Sequence, residues 1–196
     1  EPSNFDPGMD EPECKSESFY RALWRDHGDD WDLWKKTAAV YRGFVTYIDD
    51  QIGRIITELE KKGLKEDTLI IYCSDHGEML GQHGLWHKMQ PYEEALRIPL
   101  IISAPWMKGS LRSNELASLI DIPSTILSAA GISPPDDYEG SDLLKVFENG
   151  SIENRDYIFS QQKPLGDFHK EVDWRMITDM WYKFVWNRND VEELYD

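Results

Sequence analysis

The sequence predicts an α/β fold that ends in a small antiparallel subdomain, and three patterns carry that prediction. From Trp31 to Leu59, apolar residues recur at alternating spacings of three and four, the stripe of an amphipathic helix. Two short apolar runs, Leu69 to Cys73 and Ile98 to Ser103, have the length and β-branched content of fully buried strands. Near the end, Arg175 to Thr178 and Trp181 to Trp186 flank Asp179-Met180 and read as an aromatic hairpin.

Taken in order, residues 1 to 30 are rich in Pro, Asp, Glu and Ser without a sustained period and read as an irregular lead-in. The helix follows, with Asp29 or Asp30 placed to cap it and Lys61-Lys62-Gly63 placed to close it, cations at the negative end of the dipole and glycine at a left-handed cap. Asp49-Asp50 falls mid-helix, where consecutive side chains diverge, and reads as a polar face rather than a metal site. Beyond the second strand, an Asp121 cap with Pro123 in the first turn opens a short helix, Pro123 to Ala130, that Gly131 ends. Pro134 to Gly140 is a linker, Ser141 to Phe147 a brief helix and Tyr157 to Ser160 a strand. The expected division is a lead-in at 1–30, an α/β part at 31–133, and a linker with the antiparallel subdomain at 134–196.

Composition narrows the function classes. The 40% hydrophobic content, with eight tryptophans, suffices for a core, and no apolar run is long enough to span a membrane. A net charge of −16 argues against nucleic acid and anionic membranes, which are bound by neutralising phosphate with Lys and Arg. Any anion site must therefore draw on local positive charge. The two cysteines, Cys14 and Cys73, are too few for a disulfide framework, and Cys73 reads as a small apolar filler. The first residue, Glu1, favours a fragment or a processed chain.

Chemistry is expected at the end of the first strand, in Ser74-Asp75-His76-Gly77. Three of the five histidines, His76, His83 and His87, lie between the two strand runs, with Lys88 beside them. Asp75 and His76 suit a divalent metal, a proton relay or a simple turn cap, and two adjacent ligands alone do not complete a site. Lys88 is a compact charge suited to a phosphate or sulfate oxygen, or an ordinary surface lysine. Trp86 is placed either to stack on a ligand or to pack. In the segment 150–173 and just after it, Gln161, Gln162, Lys163, His169 and Trp174 line a pocket mouth or lie on the surface.

The run SDHGEMLGQHGLWHKMQPYEEALRIPLIISAP, with the helix before it, SLIDIPSTILSAAGISPP and YEGSDLLKVF after it, and the terminal RMITDMWYKFVWNRNDVEELYD, resembles the second half of the sulfatase family of the alkaline-phosphatase superfamily. The resemblance covers roughly Trp31 to Asp196. It implies part of an alkaline-phosphatase-like sheet sandwiched by helices, and hydrolysis of a small sulfate ester to alcohol and inorganic sulfate. By that resemblance, Asp75 and His76 are metal ligands. Lys88 contacts the sulfate oxygens and bears developing charge, with His87 a weaker substrate contact. His83 is either the general acid at the leaving oxygen or a residue that holds the loop. Arg97 and Tyr92-Glu93-Glu94 brace that loop. The family metal is calcium, while the imidazole of His76 leaves manganese or zinc open.

The departure is large. The resemblance implies a formylglycine nucleophile drawn from a Cys/Ser-x-Pro-x-Arg motif preceded by an Asp-Asp pair, and no such motif with its preceding pair is found in these 196 residues. The nucleophile and the rest of the metal shell are expected in a missing N-terminal part of the same enzyme, and the chain alone is expected to be inactive. Two other readings compete. One is a phosphodiesterase or phosphonate monoester hydrolase relative, and the other a non-catalytic module of the same fold, which would leave a long sheet edge unpaired.

Overall fold

The computed structural model describes residues 30–152, 155–164, 172–188 and 191–196. The expected lead-in and His169 lie outside the described residues. Two compact units are present, Glu1–Pro105 with Pro164–Val172, and Trp106–Lys163 with Asp173–Asp196. The helix expected to close the α/β part therefore falls in the second unit, with the C-terminal sheet.

Helix α1 spans Trp31–Lys61. Leu33 N–H donates to Asp30 Oδ1 at 2.9 Å, which selects Asp30 over Asp29 as the cap. At the other end Gly63 adopts φ 65°, Leu64 N–H donates to the Leu59 carbonyl at 2.9 Å, and Gly63 N–H donates to that of Glu60 at 3.0 Å. This pair of bonds is a Schellman closure, and it satisfies carbonyls that would otherwise end unpaired. The apolar stripe is largely solvent-facing: Trp34 is buried, while Tyr41, Phe44, Val45, Tyr47, Ile48 and Ile55 are 41–63% exposed. Asp49 and Asp50 are exposed, as a polar helix face requires.

Strands β1 (Ile70–Cys73) and β2 (Leu100–Ser103) pair antiparallel, with Ile70 opposite Ser103 and Cys73 opposite Leu100. Their connection contains one short helix, α2 (Glu93–Leu96), and no crossover helix of the kind that joins parallel neighbours. The expectation of full burial fails here. All of β1 is half-buried and Ile101 is 60% exposed, because among the described residues each strand has a single neighbour and keeps one edge open. Cys73 is likewise half-buried and unpaired.

In the second unit, α3 runs Asp121–Ala129 and ends at Gly131 (φ 71°), where Ile132 N–H reaches the Leu127 carbonyl at 2.9 Å. The glycine stop matches expectation, but the Asp cap does not. Asp121 is the first helical residue and fully buried, and its carboxylate accepts from Ser118 N–H (2.7 Å), Ser141 N–H (2.8 Å) and both terminal nitrogens of Arg155 (2.7 and 2.6 Å). Thr125 extends the network by accepting from Leu143 N–H at 3.0 Å. The backbone of Gly140 passes so close to the Ile120 carbonyl that a Cβ would sit 1.9 Å from its oxygen. The brief helix α4 falls at Lys145–Asn149, later than expected.

Four strands, β3 (Ile158–Gln162), β4 (Trp174–Thr178), β5 (Lys183–Asn187) and β6 (Glu193–Tyr195), form an antiparallel meander in chain order. Trp174, Met176 and Val185 share its inner face, where Met176 lies opposite Val185. Trp174 is 4% exposed and belongs to this core rather than to a pocket mouth. The β4–β5 connection is a four-residue turn rather than two, because Asp179 Oδ1 accepts from the N–H groups of Trp181 and Tyr182, both at 2.6 Å. Those bonds, first from Tyr182 and then from Trp181, hold the Asp179 carboxyl below its ordinary value of 3.8.

Two outcomes follow from these networks. Asp121→Ala leaves the Arg155 guanidinium buried without its partner and is expected to cost about 3–5 kcal/mol, read by urea unfolding of the C-terminal sheet. Because the folded pKa of Asp179 is lowered, its contribution to stability is present above the ordinary carboxylate value and lost as pH falls through the folded one. The stability gap between wild type and Asp179→Ala should be constant near neutrality and close below pH 3.8 in a denaturation series.

Candidate active-site loop

The loop between β1 and β2 begins as expected where the strand runs out. Ser74 Oγ donates to the His76 carbonyl at 2.8 Å, and His76 N–H donates to Asp75 Oδ1 at 3.0 Å, so the turn carries its own hydrogen bonds. His76 Nδ1 lies 2.8 Å from the Gly77 carbonyl. A carbonyl only accepts, so Nδ1 carries the proton in the neutral ring and Nε2 presents a lone pair. That nitrogen stands 3.4 Å from Asp75 Oδ2, whose side chain is 82% exposed. Two electron-pair donors held this close are at ease with a proton or a cation between them. Among the described residues no third His, Cys, Asp or Glu joins them to complete a metal site.

Gly77 ties the turn to α2. Its N–H donates to the Ala95 carbonyl at 2.8 Å, Glu78 N–H donates to that of Glu94 at 2.9 Å, and a Cβ on Gly77 would lie 1.9 Å from the Glu94 oxygen. No other residue type fits that approach. Sequence reading did not single out Glu78, which organises the next segment: its Oε1 accepts from His87 N–H at 2.6 Å, while Met79 N–H donates to the His87 carbonyl at 2.7 Å. An acceptor on a residue following Asp-His-Gly was the available signal, and its partner nine residues on was not.

His83 stacks on Tyr92, ring centroids 4.0 Å apart, and its Nε2 is 3.8 Å from Glu94 Oε2. Thus Tyr92 and Glu94 contact the loop, as bracing groups do. His87 is exposed. Lys88 is half-buried and makes no hydrogen bond or ion pair with the described residues, which leaves its ammonium available to an anion. Trp86 stacks on Trp34 at 4.7 Å and 16°, pinning the start of α1 to the loop and settling its role as packing. Leu80, His83 and His87 are the three non-glycine residues with positive φ among those described, and all lie in this loop. Such backbone concentrates where side chains must be aimed.

Comparison with known proteins agrees with this architecture. Residues 6–132 match the Sulfatase family. The chain belongs to the sulfatase family. Residues 81–196 of this sulfatase chain further match the family described as N-sulphoglucosamine sulphohydrolase, C-terminal. It is 35% identical to an arylsulfatase of Clostridium perfringens over 82% of its own length and 33% of the relative's. The solved phosphonate monoester hydrolase of Silicibacter pomeroyi is similar at 33% identity and a TM-score of 0.71, over 81% of this chain and 34% of that one. A solved 2-O GAG sulfatase superposes with a TM-score of 0.81 at 20% identity, over 100% of this chain and 44% of the other, a likeness of fold. The chain spans between about a fifth and a third of the length of the curated relatives it matches. No helix among the described residues is long and apolar enough to cross a membrane.

Gly77→Ala is expected to push the turn off α2, since neither the Glu94 carbonyl nor the backbone behind it can retreat. Amide exchange should show lost protection at Gly77 and Glu78, with the C-terminal sheet protected as before.

Proposed function

We propose that the chain is the C-terminal portion of a metal-dependent sulfatase that hydrolyses a sulfate monoester to an alcohol and inorganic sulfate. The observation that carries this reading is the Asp75–His76 pair, with Nδ1 of His76 engaged by a carbonyl and Nε2 turned to a carboxylate oxygen 3.4 Å away. That donor set fits a divalent ion, calcium first and manganese or zinc after it. Asp75 and His76 would hold the ion, which when bound supplies positive charge for the sulfate oxygens. The rest of its shell, and the formylglycine whose hydroxyl would attack sulfur, are assigned to a segment outside these residues.

Lys88 binds a sulfate oxygen and offsets negative charge that builds as the ester bond breaks; its lack of an internal partner supports this role. His83 is the candidate acid for the departing alcohol, with Tyr92 and Glu94 fixing its ring. His87 supplies a second, weaker contact to substrate. By the family resemblance residues 31–133 would belong to the C-terminal part of the α/β domain and 134–196 to the linker and antiparallel subdomain, while the contacts of this chain group 106–133 with the sheet. A second reading, hydrolysis of a phosphonate or phosphate ester, is favoured by the likeness to the phosphonate monoester hydrolase. Both readings place a tetrahedral oxyanion on the same three residues, and the nucleophile separates them.

Manganese titration followed by NMR tests the metal. Broadening should begin at Asp75 and His76, be relieved by excess calcium, and disappear in Asp75→Ala and His76→Ala. Broadening spread over the acidic surface and unchanged by those variants would sink the assignment. Separately, the 196-residue chain should show no hydrolysis of 4-nitrophenyl sulfate above Lys88→Ala. Turnover by the wild-type chain alone would place the nucleophile within it.

A further inference from the structure

An open cavity of about 460 Å³ in the second unit lies outside the loop described above. Trp181, Tyr157 and Met180 border it, and Asn114, Glu115 and Asp156 supply polar groups. Trp181 is 77% exposed, the highest value among the large hydrophobic side chains of the described residues. Two aromatic rings of the adjacent sheet carry a cation, Arg175 over Trp186 at 5.0 Å and Lys183 over Tyr195 at 5.3 Å. The turn that carries the exposed indole is fixed through its main chain, since the backbone N–H groups of Trp181 and Tyr182 both donate to Asp179 Oδ1. Leaving so large an apolar ring in water is unfavourable. Around it, the Asn114 amide, the Asp156 carboxylate and the Tyr157 hydroxyl make no hydrogen bond or ion pair with the described residues. Arg155, also at the cavity, is occupied in its two bonds to Asp121.

An exposed aromatic face on a hydrogen-bonded turn, beside unengaged hydroxyl, amide and carboxylate groups, matches the two sides of a sugar ring, one with a C–H face and one with hydroxyl donors. We propose that this cavity is a non-catalytic binding site for a neutral saccharide unit, with Trp181 as the stacking platform and Asp156 and Asn114 as hydroxyl partners. The sign of charge selects against a sulfated unit. Asp156, Glu115 and Asp179 border the cavity, the sole cation there is already paired, and a sulfate would meet carboxylates. The site requires neither a metal nor Lys88, so it goes beyond the sulfatase reading and can fail independently of it.

Saturation-transfer NMR on the full chain tests the proposal, with N-acetyllactosamine as the neutral probe and its 6-sulfated form as the anionic one. Saturable transfer is expected from the neutral sugar, with about tenfold weaker binding in Trp181→Ala and Asp156→Asn, whereas transfer from the sulfated sugar, which the Lys88 loop can take, is expected to be unchanged by Trp181→Ala. Trp181→Phe should retain most of the binding. Trp106→Ala, which removes another exposed tryptophan of the same unit, should bind as wild type. Absence of saturable transfer from the neutral sugar, equal transfer from it in Trp181→Ala and wild type, or an equal loss of neutral and sulfated transfer in Trp181→Ala overturns the assignment. Should Trp181→Ala lose its circular dichroism, Asp156→Asn and Trp181→Phe decide, and undiminished binding in Asp156→Asn counts against it.

Discussion

The contact of Gly77 with the Glu94 carbonyl is the constraint on which the loop depends. Because no side chain separates them, the turn after β1 exchanges two backbone hydrogen bonds with α2, and the loop closes on itself as a compact unit. That closure brings His83 against Tyr92 and Glu94, and it sets the carboxylate of Glu78 where it can take the N–H of His87. Lys88 is the next residue. Its position is thus determined through the main chain by a glycine eleven residues earlier, and no contact of its own is needed to hold it.

The way Asp75 and His76 are presented also follows from local chemistry. Adjacent residues on a strand point to opposite faces, so a carboxylate and an imidazole that must meet have to lie past the strand's end, where backbone can turn. The Ser74 hydroxyl and the Asp75 carboxylate make that turn from within. The chain is acidic as a whole, yet Lys88 stands apart from its carboxylates in the sense that none of those described is paired with it. A small anion is therefore met by a local charge despite the overall repulsion, a balance that high salt shifts toward the local term.

Much of this was legible in the sequence because it is local. The helix, its Asp30 cap and its Gly63 stop are written within a few residues of one another, and so are the hairpin and the Gly131 stop. The Asp-His-Gly turn was legible for the same reason, with its motif lying at the end of an apolar run. What escaped was set by partners distant in sequence. Asp121 looked like a cap because Asp before Pro in a first turn usually is one, but Arg155, thirty-four residues on, claims its carboxylate. Trp174 resembled a rim residue until its strand register placed it opposite Asn187 on the inner face. The strands read as fully buried since apolar residues face both sides, and a sequence does not report how many neighbours a strand finds. Glu78 carried no pattern at all, since its role exists only once His87 has folded back onto it.

The meander β3–β4–β5–β6 has one further consequence, for the order in which the molecule takes shape. Each strand pairs with its immediate successor in the chain, so every contact in that sheet closes a short loop at small entropic cost. The Trp34–Trp86 stack and the β1–β2 pairing span longer stretches and cost more to close. The C-terminal sheet therefore closes at the smaller entropic cost, while the site-bearing loop has to bring together segments that lie farther apart in the chain.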